Sequence, residues 1–212
     1  MSIKAVIFDL DGTLYDSGKL PFRLVLADIP GMFTLSAERA ARKAMAGAET
    51  ESEDLTYAEL FGLIAARQGI SIAEAEHWYR DRYMPNMVKV LKKHYHAREG
   101  VTEFLDLLRS KGIKTAVYSD YGMVKEKMDA LGIDPQHFDG IFDAPSMGGL
   151  KPCQKGFINV CNALGATPEE CIMIGDREDT DGGALAAGLK FLKVPKTGPV
   201  DFNQLLKAMD CE

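Results

Sequence analysis

The chain has 212 residues, 46% hydrophobic and 26% charged, enough for one sizeable domain carrying a smaller insertion. A net charge of −6 argues against a nucleic-acid backbone as the main partner, because such binding surfaces are basic. The N-terminal apolar run in "MSIKAVIFDL" is too short for a signal h-region or a membrane span, so a cytoplasmic protein with no membrane partner is expected.

Residues 3–8 show little alternation and stop at Asp-Leu-Asp-Gly, which predicts a strand buried on both faces. From 17 to 97 only helices are expected. Ser36 opens the helix-forming run "SAERAARKAMAG"; Arg39, Arg42 and Lys43, with Arg23, are the cationic candidates for a substrate anion, but "ERAARK" reads more simply as a solvated face. Thr56 with Glu59, and Ser71 with Glu74, each have the spacing of a capping box, and Gly69 is placed to stop "LFGLIAARQG". Trp78 and Tyr79 are expected inside this helical segment, and Pro85 bends or restarts its last helix. "AREG" at 97–100 reads as the return hinge.

Beyond the hinge, helical patterns at 101–110, 123–131, 154–164 and 181–187 alternate with strand patterns at 113–119, 138–142, 171–175 and 190–194. "TPEE" at 167–170 carries a capping box with room for one turn only. The alternation predicts an α/β fold, a doubly wound, Rossmann-like parallel sheet built from 1–16 and 98–212, with an inserted α-helical domain over 17–97. Cys153, Cys161, Cys171 and Cys211 lack CxxC spacing and read as buried reduced thiols. His77, His94, His96 and His137 lack zinc spacing and read as surface or packing residues.

Sites in open α/β sheets form beyond the carboxyl ends of the strands. Asp9 and Asp11, Ser119 and Asp120, and Asp176 all fall there, with Asp179 and Asp181 close behind and Lys151 in the loop after the weak strand pattern near Phe142. One aspartate before a helix is ordinarily a cap; carboxylates, a hydroxyl and a lysine from four strand ends together point to chemistry. An EF-hand is excluded, since placing Gly12 or Gly182 at the loop's sixth position leaves Ile7 or Arg177 first and a glycine last. A carboxylate cluster with few protein ligands suits Mg²⁺ with a substrate phosphate completing its shell. The aspartate pair then reads as nucleophile and acid/base, with a lysine and a hydroxyl holding the phosphoryl oxygens.

Four motifs in order, "FDLDGTLYDS" (8–17), "VYSD" (117–120), "GLKP" (149–152) and "IGDREDTD" (174–181), resemble the haloacid dehalogenase superfamily over nearly the whole chain. The resemblance implies that Asp9 attacks phosphorus to form an aspartyl-phosphate, while Asp11 protonates the leaving oxygen and then activates water. It implies Mg²⁺ on the Asp9 and Asp176 side chains and the Asp11 carbonyl, with Asp181 supporting through water. Ser119 and Lys151 would bind the phosphoryl group, and the helical insertion would be a mobile cap hinged at 15–18. Asp120 stands where relatives often carry Asn, on the substrate side, and Arg177 where they carry a small residue; Arg177 is expected to pair with a neighbouring acid, and Asp179 to be a solvated charge.

The expected activity is a Mg²⁺-dependent phosphatase acting on a small phosphorylated metabolite, phosphoglycolate-phosphatase-like. A phosphomutase would share this core. A dehalogenase does not need Asp11, a receiver domain carries its acidic pair adjacent and no such insertion, and a binding scaffold would have no use for every charged position. Nothing in the sequence sets an oligomeric state.

Overall fold

The computed structural model describes residues 2–210. Five parallel strands, β1 (Ala5–Phe8), β2 (Lys114–Ser119), β3 (Gly140–Asp143), β4 (Cys171–Gly175) and β5 (Lys190–Lys193), form one sheet in the order β3-β2-β1-β4-β5. The central strand reads Ala-Val-Ile-Phe without alternation because both its faces are covered, and its residues are fully buried. Register places Phe8 beside Val117 of β2 and Ile174 of β4, so the three inner strands end within two residues of one another. The edge strands β3 and β5 are only partly buried. Every predicted strand is present, each within two residues of its expected limits.

The flanking helices are α6 (Val101–Ser110), α7 (Val124–Leu131), α8 (Gln154–Ala163), the single turn α9 (Gly183–Ala186) and α10 (Phe202–Asp210). Thr167 and Glu170 make the expected capping box, around a 3₁₀ turn at Pro168–Glu170. Cys153, Cys161 and Cys171 are buried free thiols; Cys211 lies outside the described residues.

Between β1 and α6 the chain is helical: α1 (Leu20–Ala27), α2 (Met32–Met45), α3 (Glu53–Gln68), α4 (Ile72–His77) and α5 (Met84–His94). Ser71 and Glu74 close the predicted box, and Gly69 ends α3 in the left-handed conformation. Three expectations need correction. Helix α2 starts four residues before Ser36, at Met32 with Gly31 as its N-cap, and this brings Leu35 onto the buried stripe.

Thr56 and Glu59 form no cap. The N-cap of α3 is Ser52, whose Oγ accepts from Leu55 N, while Thr56 lies buried inside the helix and returns its hydroxyl to Ser52 O at 3.0 Å. Nor is "ERAARK" wholly solvated. Arg39 and Lys43 are exposed, but Glu38 and Arg42 are buried and paired, because positions 35, 38, 42 and 45 share one face of α2.

Trp78 and Tyr79 are buried, within a π-helical stretch (Trp78–Tyr83) that leads directly into α5. Pro85 is the second residue of α5, just where the helix passes from the π-helical stretch to α. The two connecting stretches meet in an isolated antiparallel bridge between Tyr15 and Ala97. Among the described residues no helix is long and apolar enough to cross a membrane.

Candidate active site

The chain crosses from β1 to β2 and β3 on one side of the sheet, then returns to β4 and β5 on the other. That reversal leaves a crevice at the carboxyl ends of β1 and β4. Asp9 and Asp11 follow β1, Ser119 ends β2, Lys151 follows β3, and Asp176 and Asp181 follow β4. All six meet in that crevice.

Carboxylate oxygens of Asp9, Asp176 and Asp181 lie within 4.8 Å of one another, and all three residues are buried. Lys151 Nζ donates to Asp9 Oδ1 at 2.7 Å and to Asp181 Oδ1 at 2.6 Å. Asp181 Oδ2 accepts from Arg177 N at 3.2 Å. Both Asp181 oxygens are therefore engaged by the protein, whereas Asp176 is buried with neither oxygen hydrogen-bonded to any protein group. A carboxylate left so is costly unless a cation faces it. Three carboxylates against one ammonium leave a local charge that a divalent ion neutralises. The donor set fits Mg²⁺.

Two glycines make the approach possible. Gly12 has φ +106°, and a Cβ there would lie 2.7 Å from Asp176 Oδ2. A Cβ at Gly175 would fall 2.4 Å from Asp181 Oδ2, so only glycine lets the β4 terminus and this carboxylate pack together. Burial pushes the Asp9 carboxyl well up, opposed by Lys151 and reinforced by Asp181 and Asp11. Burial, with Asp181 beside it, also raises Asp176. Asp11 goes the other way: burial would raise it, but the Lys127 ammonium and the Tyr15 hydroxyl outweigh that and bring it below the ordinary range.

A cavity of about 40 Å³ opens onto Asp9, Asp11, Asp120, Tyr121, Lys151 and Asp176, among others. The largest cavity described, about 940 Å³, lies between the connecting stretches and the 197–203 loop and shares no residue with it. Chemistry, not size, identifies the site. Asp120 faces the small cavity, and its Oδ1 accepts from Lys151 N at 2.9 Å. Arg177 pairs in bidentate fashion with Asp179, at 3.1 and 2.6 Å, on the exposed rim. No histidine joins the group: His77 and His137 pair with Asp81 and Asp106, and His94 and His96 are exposed.

Four groups that the sequence reading did not assign to the site surround it. Lys127, fully buried, donates to Asp11 Oδ2 at 2.8 Å and to Ser119 Oγ at 3.2 Å. Tyr15 donates to Asp11 Oδ1 at 2.6 Å. Arg98 spends its guanidinium on main-chain carbonyls: Gly12 and Thr13 at 2.9 Å, Pro195 at 2.7 Å, Lys196 at 3.0 Å, and Gly198. It thereby ties the return hinge to the Asp11 loop. Arg42 pairs with Glu38, donates to the Tyr79 hydroxyl oxygen at 2.7 Å and to Asp120 O at 2.8 Å, and has its guanidinium 4.2 Å from the Tyr121 ring centre. One signal was available for two of them: Lys127 and Arg42 occupy apolar-stripe positions of α7 and α2, where a charge needs a partner.

The model of the haloacid dehalogenase-like hydrolases matches residues 3–188. A glyceraldehyde 3-phosphate phosphatase of Methanopyrus kandleri is 32% identical over 220 residues, covering 91% of this chain and 84% of that protein. A phosphoglycolate phosphatase of Aquifex aeolicus is 27% identical, covering 89% and 83%. The crystal structure of a 2-haloacid dehalogenase from Pseudomonas syringae superimposes with a TM-score of 0.65 at 18% identity, covering 99% of each chain, a likeness of fold. The chain belongs to the haloacid dehalogenase-like hydrolases.

Proposed function

We propose that the protein is a Mg²⁺-dependent phosphatase that hydrolyses a small phosphorylated metabolite through a phosphoryl group carried on Asp9. The observation that carries the reading is the buried group of Asp9, Asp176 and Asp181 closed by Lys151, with Asp11 two residues from Asp9. The phosphatases of Methanopyrus kandleri and Aquifex aeolicus support the substrate class. In this reading the side chains of Asp9 and Asp176 and the Asp11 carbonyl hold Mg²⁺, with Asp181 supporting through water. The bound ion supplies positive charge where the transferring phosphoryl group gains negative charge.

Lys151 fixes one Asp9 oxygen, leaving the other, which accepts from Thr13 Oγ1 at 3.3 Å, to attack phosphorus in line with the ester oxygen. Asp11 enters this step in the acid form that it takes in the substrate-bound enzyme, and the P–O bond to the alcohol breaks as it gives that oxygen its proton. Asp11 then takes a proton from water, which attacks phosphorus and releases phosphate from Asp9. Ser119 and Lys151 hold the phosphoryl oxygens through both steps, and Asp120 lies on the substrate side. Residues 17–97 act as a cap over a core of 1–16 and 98–212, pivoting where Tyr15 meets Ala97.

Phosphate release from a panel of phosphate monoesters, with and without Mg²⁺, tests the activity. Metal-dependent release from small esters is expected. Metal-independent release, or none alongside halide release from a 2-haloacid, would overturn it.

A further inference from the structure

We propose that Lys127 is a positioning residue for the acid/base step: with Tyr15 it clamps the Asp11 carboxyl, and through Ser119 it links that clamp to the phosphoryl-binding hydroxyl. The inference rests on the phosphatase reading above. Lys127 is fully buried and aims its ammonium at Asp11 and Ser119, standing behind both. One Asp11 oxygen is held by Tyr15 and the other by Lys127, with Ser119 Oγ also donating to it at 3.3 Å. Both arms are needed to fix the plane of a carboxyl that otherwise turns freely about its terminal bond.

Packing alone does not account for the lysine. It lies on the stripe Val124, Lys127, Met128, Leu131, where a methionine or leucine would fill the same space without desolvating an ammonium. A buried charge kept at such a position, with its donors aimed at two residues of the reacting centre, marks function over stability. Ser119 ends β2 and Lys127 lies in the first turn of α7, so the one side chain couples the β2 terminus to the Asp11 loop.

The clamp acts on proton delivery to the leaving oxygen, and that requirement depends on the ester. An alkyl phosphate needs the proton, whereas p-nitrophenyl phosphate leaves as a stable anion. The quantity to measure is kcat/KM, which reports steps through formation of the bond to Asp9. For Lys127→Met the expected loss is about a hundredfold on the best alkyl ester and no more than about threefold on p-nitrophenyl phosphate. In an Asp11→Asn background, adding Lys127→Met is expected to cost less than about twofold further, because both act through one group.

Equal losses on the two esters, or fully additive losses in the double variant, would overturn the proposal. If Lys127→Met does not fold, Lys127→Arg keeps the cation while displacing its donors, and the same unequal loss is expected of it; equal losses there overturn the proposal too. Failure of the phosphatase reading itself is distinct, since the wild-type protein would then release no phosphate from either ester.

Discussion

At the scale of single residues, the site depends on one carboxylate that the protein leaves unpaired and one glycine that lets it approach. Gly12→Ala would press a methyl group onto Asp176 and force a residue with a side chain to φ +106°. We expect a stability loss of about 1–3 kcal/mol, measured by urea unfolding, together with weaker Mg²⁺ binding by calorimetry. Unchanged metal binding would show that Asp176 has room to move.

The raised carboxyls of Asp9 and Asp176 set a pH dependence whose sign is fixed. Burial makes their charged forms costly in the metal-free fold. That cost is present above their folded-state pKa and is relieved as the pH falls and they take up protons. Mg²⁺ must displace those protons, so its stabilisation of the fold should be larger at about pH 7.5 than at about pH 5. Melting temperatures with and without Mg²⁺ at the two pH values measure it. A shift that is the same at both, or larger at the acidic one, would contradict the assignment of these carboxylates to the metal.

The paired aspartates, Ser119, Lys151 and Asp176 could all be read from the sequence, because each ends a strand or lies in the loop after one, and those loops in a doubly wound sheet converge. Lys127, Tyr15 and Arg98 could not be read so directly. Lys127 reaches Asp11 across 116 residues and Arg98 reaches Thr13 across 85, contacts that no local window reports, while Tyr15, only 4 residues from Asp11, reads in the sequence as an ordinary buried aromatic.

At the scale of elements, α2 shows how a charged stripe can mislead. Its surface charges Arg39 and Lys43 are solvated, while Glu38 and Arg42 in the same run are buried against Tyr79 and the Asp120 carbonyl. Composition predicts a solvated face; register along the helix decides which charges turn inward. Arg42→Met would leave Glu38 buried without its cation, and we expect a loss of about 3–5 kcal/mol in urea unfolding. Glu38→Leu combined with Arg42→Met should recover much of that loss, since the unpaired charge is then gone. A loss below about 1 kcal/mol for the single variant would mean that the pair contributes little to the closed arrangement.

The start of α3 was misplaced for a related reason. Thr56 has the residue type of a cap, but tertiary packing buries it and lets its hydroxyl return to Ser52 O, so Ser52 takes the terminus. Strands were easier to read. Uninterrupted apolar runs such as Ala-Val-Ile-Phe have few other places to go in a sheet covered on both faces.

At the scale of the whole molecule, the cavity over Asp9 is about 40 Å³, far below the roughly 300 Å³ or more of an ordinary ligand pocket. On the proposed reading of residues 17–97 as a cap, this arrangement is the closed one and the helical segment moves for an ester to enter. Arg42 and Arg98 are the fastenings. Arg42 holds α2 to the loop after β2, and Arg98 holds the return hinge to the Gly12–Thr13 carbonyls. Hydrogen exchange should therefore slow in α2 and at residues 15–18 and 95–98 when Mg²⁺ and inorganic phosphate are both bound. Protection confined to the strand ends would argue that the helical segment takes no part in closure.

The most direct test of the account is rapid acid quench during turnover of a ³²P-labelled monoester, followed by peptide mapping. The account predicts label on the peptide that contains Asp9, and none in Asp9→Asn, which should retain the wild-type circular dichroism while losing at least about a thousandfold in turnover. Label on another residue, or wild-type turnover in Asp9→Asn, would contradict it.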